Sequence, residues 1–197
     1  MLDDRTRVLV QLAVYASRPE YHAELTAALE GAKEMVPREE VHEVFLQQYL
    51  FVGFPAALEG MKTLSKVWPS SGIQVMAEAM NYEKFVERGK DLYEQVYSRN
   101  ADVVRKEMLN LSPDLAAWAV IEGYGKTLSR PGLEIKTREL CIVGILTQLG
   151  WKRQLFSHIM GAINVGATKE ECAAAISIGC YEYPERKEKA LRLLDKA

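Results

Sequence analysis

The chain has 197 residues, 48% of them hydrophobic and 26% charged, with a formal net charge of −2 and a pI of about 6.0. This composition is typical of a globular protein that is long enough to bury a substantial core. Because the sequence contains neither a basic excess nor basic tracts, we expect no nucleic-acid partner and no binding to an anionic membrane.

The sequence also lacks the patterns of membrane and redox proteins. No apolar run approaches the length of a bilayer span, and the first residues, MLDDR, lack the apolar stretch of a signal peptide, so we predict a cytoplasmic protein. The three cysteines, Cys141, Cys172 and Cys180, lie in apolar helical patterns without Cys-x-x-Cys spacing. This arrangement predicts small core residues and no metal or redox site.

The chain has helical patterns from its start. Residues Thr6–Ala16 have the spacing of an amphipathic helix with a wide apolar stripe. Ser17 and Glu20 are spaced as a capping box for a second helix. Pro37 suits the first turn of a third helix, which Gly53–Pro55 interrupts before a fourth helix begins.

The segment Trp68–Gly72, with the sequence WPSSG, is the best candidate for a boundary between two parts of the chain. We therefore divide the protein into an N-terminal helical half, residues 1–68, and a C-terminal half, residues 69–197. The C-terminal half holds the residues with candidate chemistry.

The first part of the C-terminal half is also predicted to be helical. Residues 73–97 and 101–111 have helical patterns. Ser112 as a cap and Pro113 at the first position start a further helix. That helix is predicted to continue to SRPG, at residues 129–132.

The most informative stretch is a helical hairpin that follows. Its first arm, Ile135–Leu149, contains a run that is apolar on every side of the helix and is expected to be buried all round. Gly150 ends this arm, and Glu139 lies near its start. The second arm carries the stripe of one helix face, at Trp151, Leu155, His158, Ile159, Ala162, Ile163 and Gly166.

The position of Glu139 relative to His158 follows from helix geometry. A rise of about 1.5 Å per residue places Glu139 roughly 16 Å before Gly150 and His158 roughly 12 Å after it, so the two are nearly level in an antiparallel hairpin. A carboxylate beside an imidazole can fix the ring tautomer and tune both groups for acid–base catalysis. The alternative is a hydrogen-bonded core histidine and a glutamate that only complements the start of its helix. Spacing alone leaves both interpretations open.

After the hairpin, Thr168 and Glu171 are spaced as a capping box for another helix. Tyr183-Pro184 ends that helix and starts a charged terminal one. Because no stretch shows sustained strand alternation, the predicted fold class is all-α.

Two stretches of the chain have similar patterns. Thr6-Arg7, an apolar helix and a helix that ends at Gly31 correspond to Thr137-Arg138, an apolar helix and Gly166. We therefore predict two half-chain repeats. Alignment on the two glycines puts Ala23 opposite the histidine of the hairpin, so only the second repeat has the glutamate and the histidine.

The sequence resembles the carboxymuconolactone decarboxylase family, which shares its helical fold with the alkylhydroperoxidase AhpD family. The most specific residues are Ser129–Leu133, Thr137–Leu140 and His158 with Ala162–Ala167, within a longer resemblance over Ser112–Glu171 and at Phe51–Ala57. The resemblance implies an AhpD-like multihelical bundle that assembles into a homo-oligomer, a trimer or a hexamer. The apolar hairpin supports this expectation, because one bundle of this size leaves apolar faces uncovered.

In the AhpD branch, a glutamate, a Cys-x-x-Cys pair and a histidine relay protons during peroxide reduction. Glu139 and His158 match the glutamate and the histidine, but Trp151 and Gln154 stand where the cysteines should be. Such peroxide reduction needs a nucleophilic thiolate and a resolving thiol. Cys141 points away from Glu139 inside an apolar run, so a peroxiredoxin-type activity is the less favoured alternative.

The decarboxylase branch works without a cofactor, so the resemblance implies a carboxy-lyase that removes carbon dioxide from a small carboxylated lactone. Glu139 and His158 are then the candidate acid–base pair. Candidate substrate-binding residues are Arg130, Arg138, Arg153, Trp151 and Gln154.

A guanidinium can bind a carboxylate bidentately, although these arginines can equally be surface residues at helix ends. Gln154 stands where decarboxylases often have a glutamate, and an amide does not exchange a proton. A non-enzymatic helical oligomer or binding module is the third hypothesis.

Overall fold

The computed structural model describes residues 1–70 and 81–197, and all the regular secondary structure in those ranges is helical. The α-helices are α1 Asp4–Ala16, α2 His22–Ala32, α3 Arg38–Gln47, α4 Tyr49–Val67, α5 Tyr82–Tyr97, α6 Ala101–Leu111, α7 Pro113–Trp118, α8 Ile135–Leu149, α9 Lys152–Asn164, α10 Lys169–Gly179 and α11 Pro184–Leu194. Short 3₁₀ turns cover Pro19–Tyr21 and Ser98–Asn100, and a π-helix covers Ala119–Leu128. The predicted all-α class is confirmed.

The helices group into two compact units. The first unit contains residues 1–69 and 132–197, and the second contains residues 70–131. This division differs from the predicted halves, because the C-terminal helices pack with the N-terminal ones and the second unit falls between them in the sequence only. Within the described ranges, no helix has both the length and the apolarity needed to cross a lipid bilayer.

Helix α8 lies at the centre of the first unit, where it packs against α1, α9 and α10. Its residues from Thr137 to Gln148 are all buried, as its apolar pattern predicts. Two glycines allow close packing with α10, because a Cβ at Gly179 would lie 2.4 Å from the carbonyl oxygen of Gly144. The central helix therefore has no free face within this unit.

The first unit contains two similar sets of four helices, α1–α4 and α8–α11. Each of the first three helices in the second set begins 130 or 131 residues after its counterpart in the first set. One ion pair recurs at the same offset: Arg5 and Glu40 are 2.5 Å apart, and Lys136 and Glu171 are 3.1 Å apart. Both pairs span 35 residues. These observations support the predicted repeats.

The number of residues that separates corresponding helices corrects the alignment of the two repeats that was based on Gly31 and Gly166. It places Val8 opposite Glu139 and Ala28, not Ala23, opposite His158. The glycines mislead because Gly31 is still within α2, whereas Gly166 comes after the end of α9 and has φ of 99°. The conclusion that only the second repeat holds the pair is unchanged.

The predicted helix ends are confirmed at some positions and wrong at others. Ser112 caps α7, and Thr168 with Glu171 forms a capping box at α10, as predicted. The capping box at Ser17 is wrong, because the Ser17 hydroxyl donates back to the carbonyl of Val14. The predicted break at Gly53 is a kink within α4, with φ of 79°, and α3 ends earlier, at Gln47.

The second unit differs from the sequence prediction in one helix. The helix predicted from Ser112 through Tyr124 is α7 followed by the π-helix, which helical periodicity does not distinguish from an α-helix. The π-helix lies against α5, where a Cβ at Gly125 would clash at 1.8 Å with the carbonyl oxygen of Phe85. Of the helix predicted over 73–97, residues 73–80 lie outside the described residues and the remainder contains α5.

Candidate active site

The hairpin of α8 and α9 brings Glu139 and His158 together. Oε2 of Glu139 lies 2.8 Å from Nδ1 of His158, a hydrogen-bonding distance between groups 19 residues apart. Helix α8 ends at Gly150, whose left-handed backbone, with φ of 78°, reverses the chain into α9. The prediction that the two side chains lie level in the hairpin is confirmed, and their role in catalysis stays a prediction.

The two members of the pair differ in their exposure. Glu139 is completely buried, whereas the side chain of His158 is 12% exposed. The ring of Phe51, from α4, packs edge-on against the imidazole at 5.4 Å between ring centroids. The imidazole therefore lies at the edge of the core, with its carboxylate partner on the inner side.

The pair has the geometry of a general acid–base group. An ionised Glu139 accepts the hydrogen bond from Nδ1–H, so Nε2 of His158 carries the lone pair of the neutral ring. Within the described ranges, Nε2 forms no hydrogen bond to the protein. The other carboxylate oxygen, Oε1 of Glu139, is buried and also has no hydrogen-bond partner there. The arrangement can move a proton at Nε2 while the carboxylate holds the ring.

Arg138 was predicted either to bind a substrate carboxylate or to lie on the surface at a helix end, and the structure shows it in the protein core. It is completely buried, and its guanidinium donates to Glu43 at 2.8 Å, to Gln47 at 3.3 Å and to the carbonyl of Leu133 at 3.2 Å. Glu43 is itself buried. These contacts give Arg138 a place in the core rather than at a helix end on the surface.

The other predicted substrate-binding residues are separated between the two units. Trp151, Arg153 and Gln154 lie at the exposed start of α9, before His158 on the same helix, and Trp151 is 60% exposed. Arg130 is half-buried and belongs to the second unit. Three of the five candidates are therefore accessible on the helix that carries the histidine.

The three cysteines are buried and unpaired. Burial raises the pKa of the Cys141 thiol to about 12, and the pKa of Cys172 also to about 12. Burial likewise raises the pKa of Cys180. Because a thiolate is the reactive form, none of these groups is activated for nucleophilic or redox chemistry near neutral pH.

The sequence prediction missed Glu43 and Gln47, the side chains that hold Arg138. They lie one turn apart on α3, on a buried face that also contains Val41, Val44 and Phe45. Two polar residues at this spacing on an apolar face were a usable signal for a buried polar network.

A comparison with known families matches the segment of the chain that contains the pair. Residues 114–196 match the sequence model of the carboxymuconolactone decarboxylase family. Over this segment the chain is similar to the carboxymuconolactone decarboxylase family. The segment includes both Glu139 and His158, and it confirms the resemblance seen in the sequence. The first repeat lies outside it.

A curated relative extends the similarity beyond the family segment. Over 140 residues, the chain is 29% identical to "Peroxisomal protein 2" of Schizosaccharomyces pombe (strain 972 / ATCC 24843). The match covers 70% of this chain and 66% of that protein. The relative's name gives a cell compartment and no reaction, so the chemistry of this chain is inferred from the geometry of the site.

Proposed function

We propose that the protein is a cofactor-free acid–base enzyme, similar to carboxymuconolactone decarboxylase, that acts on a small carboxylated or lactone substrate. The observation that carries this proposal is the Glu139–His158 pair, with one ring nitrogen held by a buried carboxylate and the other left for a substrate. A buried carboxylate that orients an imidazole is a recurring arrangement in general acid–base catalysis.

The proposed step is proton transfer at Nε2 of His158. In a decarboxylation, the bond between the substrate carbon and its carboxylate breaks, and the electron pair passes into the conjugated lactone carbonyl as carbon dioxide leaves. A protonated His158 then donates its Nε2 proton to the resulting carbanion and becomes neutral. Glu139 stabilises the charged ring and fixes its orientation without contacting the substrate.

Substrate binding is assigned to the exposed start of α9. Arg153 supplies a guanidinium for a substrate carboxylate, Trp151 an aromatic surface and Gln154 an amide. Arg138 is removed from this set, because its guanidinium is buried with Glu43. Arg130, on the second unit, stays a candidate from the sequence.

A thiol-dependent peroxidase is the weaker alternative. Trp151 and Gln154 occupy the positions of the two required cysteines, and burial raises the pKa of Cys141 to about 12. A protonated and inaccessible thiol does not attack a hydroperoxide. A binding module without a reaction is the remaining alternative, and the variants described below distinguish it from an enzyme.

Assembly and location are also proposals. We propose a homo-oligomer, a trimer or hexamer, in the cytoplasm. The oligomer rests on the resemblance to the family, because the apolar helix α8 is already buried within one chain. The name of the S. pombe relative instead suggests a peroxisomal location as the competing possibility. Light scattering that gave a monomer of 22.2 kDa at micromolar concentration would contradict the oligomer, and microscopy of the tagged protein would distinguish the compartments.

The test of the proposed function begins with a screen of carboxylated lactones and keto acids for turnover. For any substrate found, His158→Asn and Glu139→Gln should each lower kcat at least about 100-fold, the scale of a lost general acid–base group. His22→Asn is the matched control, because His22 is an exposed histidine on α2. Unchanged turnover in His158→Asn, with a melting temperature several degrees lower, would leave the pair as a structural feature and exclude the enzyme proposed.

A further inference from the structure

A cavity in the first unit adjoins the start of α9, but none of the residues proposed there for substrate binding, Trp151, Arg153 and Gln154, lines it. It has a volume of about 280 Å³ and lies between the end of α8, the start of α9 and α11. Neither Glu139 nor His158 lines it. Three features of its lining together indicate the chemical class of a ligand.

The first feature is an excess of positive charge. Lys152, Arg186 and Lys189 line the cavity, against one carboxylate, that of Glu185. Lys152 and Lys189 form no ion pair within residues 1–70 and 81–197, so their charges are not neutralised there. An anion that entered the cavity would meet uncompensated cations.

Arg186 is the cation with the most restricted side chain. Its guanidinium donates to the carbonyl oxygen of Gln148 and stacks on the ring of Tyr183, 4.0 Å from the ring centroid. It also lies over Gly150, where a Cβ would approach it at 3.6 Å. These contacts hold a positive charge at the turn between α8 and α9.

The second feature is the start of α9, a helix of 13 residues. Its N-cap residue, Trp151, makes no capping hydrogen bond with its side chain, and the first turn has no acidic residue. The first amide N–H groups of a helix have no partner within the helix, and the helix dipole places partial positive charge there. Backbone donors at Lys152 and after it are therefore available to an anion.

The third feature is a buried hydroxyl. Thr147 lines the cavity, is 1% exposed, and its Oγ1 has no hydrogen-bond partner within the described ranges. Buried polar atoms in folded proteins are nearly always hydrogen-bonded, so an unpartnered one at a cavity indicates a missing partner. This observation is independent of the charges and of the helix start.

The remaining lining is apolar and defines the rest of the ligand. Leu149, Leu155, Ala190 and Leu193 face the same cavity. We propose that this cavity is a binding site for a small organic anion, with a carboxylate or phosphate head group on a short apolar body. The head group lies against Lys152, Lys189 and the start of α9, and the hydroxyl of Thr147 donates to one of its oxygens.

The test is an NMR titration of the ¹⁵N-labelled full chain at low ionic strength. The probes are hexanoate for a carboxylate on an apolar chain, inorganic phosphate for a head group alone, and hexanol as the neutral analogue. We expect hexanoate to shift the amide signals of Lys189 and Leu193, which line this cavity on α11, saturably, phosphate to shift them more weakly, and hexanol to leave them unchanged. Tighter binding of phosphate than of hexanoate would instead identify a phosphate head group as the natural one, within the same site.

Two substitutions test the placement. Lys189→Gln should weaken hexanoate binding about three- to fivefold, whereas Lys187→Gln, the same charge change on the same helix but outside the lining, should not change it. Thr147→Val keeps the side-chain shape and should weaken binding about threefold or more through the lost hydrogen bond. Equal effects of Lys189→Gln and Lys187→Gln, or unchanged binding in Thr147→Val, would overturn the site, because only general surface charge would then attract the anion.

Discussion

The two repeats of the first unit have the same helices but different interiors. At corresponding places, the first repeat has Val8 and Ala28 and the second has Glu139 and His158. The first repeat therefore forms these helices without a carboxylate or an imidazole at these positions. The fold does not require the pair, which is the main reason to assign it to function rather than to packing.

A second difference between the repeats concerns arginine. Arg7 and Arg138 correspond, yet Arg7 is half-buried and forms no ion pair within the described residues, whereas Arg138 is buried against Glu43 of the first repeat. The position that corresponds to Glu43 in the second repeat is Ala174, which has no charge to offer. The same residue type is thus a core group in one repeat and a peripheral one in the other.

The largest expected effect separates these two arginines. Arg138→Met should lower the free energy of unfolding by about 3–5 kcal/mol, because it removes the buried guanidinium that pairs with the carboxylate of Glu43. Arg7→Met, its counterpart, should change it by less than about 0.5 kcal/mol. Urea denaturation of both variants measures the two changes. Equal losses in the free energy of unfolding would show that burial does not increase the contribution of Arg138 to stability.

The next experiment makes the second repeat resemble the first. Glu139→Val with His158→Ala should keep the free energy of unfolding within about 1 kcal/mol, since an apolar replacement removes a buried carboxylate oxygen that has no partner. Any turnover or ligand binding at the pair should be lost. A loss of stability of several kcal/mol would instead make the pair a structural requirement of this repeat.

The success and failure of the sequence predictions follow from distance along the chain. The Glu139–His158 contact was predictable because both residues lie in one hairpin, where helix rise alone fixes their relative height. The contact of Arg138 with Glu43 was not, because it joins helices of different repeats that only tertiary packing brings together. The cap of Thr168 was also predictable, since its partner is three residues away, but the same spacing misled at Ser17, whose hydroxyl donates back to Val14.

A smaller effect concerns the ion pair that both repeats share. Arg5→Gln and Lys136→Gln should each lower the free energy of unfolding by at most about 1 kcal/mol, as is typical of partly exposed pairs. Both losses should shrink in about 1 M salt, where screening is strong. A much larger loss in one variant would break the equivalence of the two pairs.

The pH dependence of stability offers a related test at Glu171. Burial raises the pKa of its carboxyl, but the amide of Thr168 and the ammonium of Lys136 together hold that pKa below its usual value. The pKa of a glutamate in the unfolded chain is about 4.3, and above that pH the stabilisation from the lowered pKa of Glu171 is fully present. It is lost as the pH falls through the lower pKa of the folded state. Glu171→Gln should therefore flatten the fall of the melting temperature with acid, and an unchanged profile would contradict this assignment.

The smallest effect is expected at Cys141, whose counterpart in the first repeat is Val10. Cys141→Val should change stability by less than about 1 kcal/mol, because one small apolar side chain replaces another. Because burial raises the pKa of Cys141 to about 12, the native thiol should also resist a disulfide reagent near pH 8. A stability loss of several kcal/mol would contradict the first expectation, and rapid labelling of the native thiol, or hydroperoxide turnover that disappeared in this variant, would contradict the second.

The ion pair between Glu43 and Arg138 also has a consequence for how the protein unfolds. The two residues are 95 positions apart, and each charge is costly to bury before the other is in place. Neither repeat can complete its interior alone, since α3 supplies the acid and α8 the base. We therefore expect the two repeats to gain and lose structure in a single cooperative transition, with no populated intermediate in which one repeat is folded and the other is not.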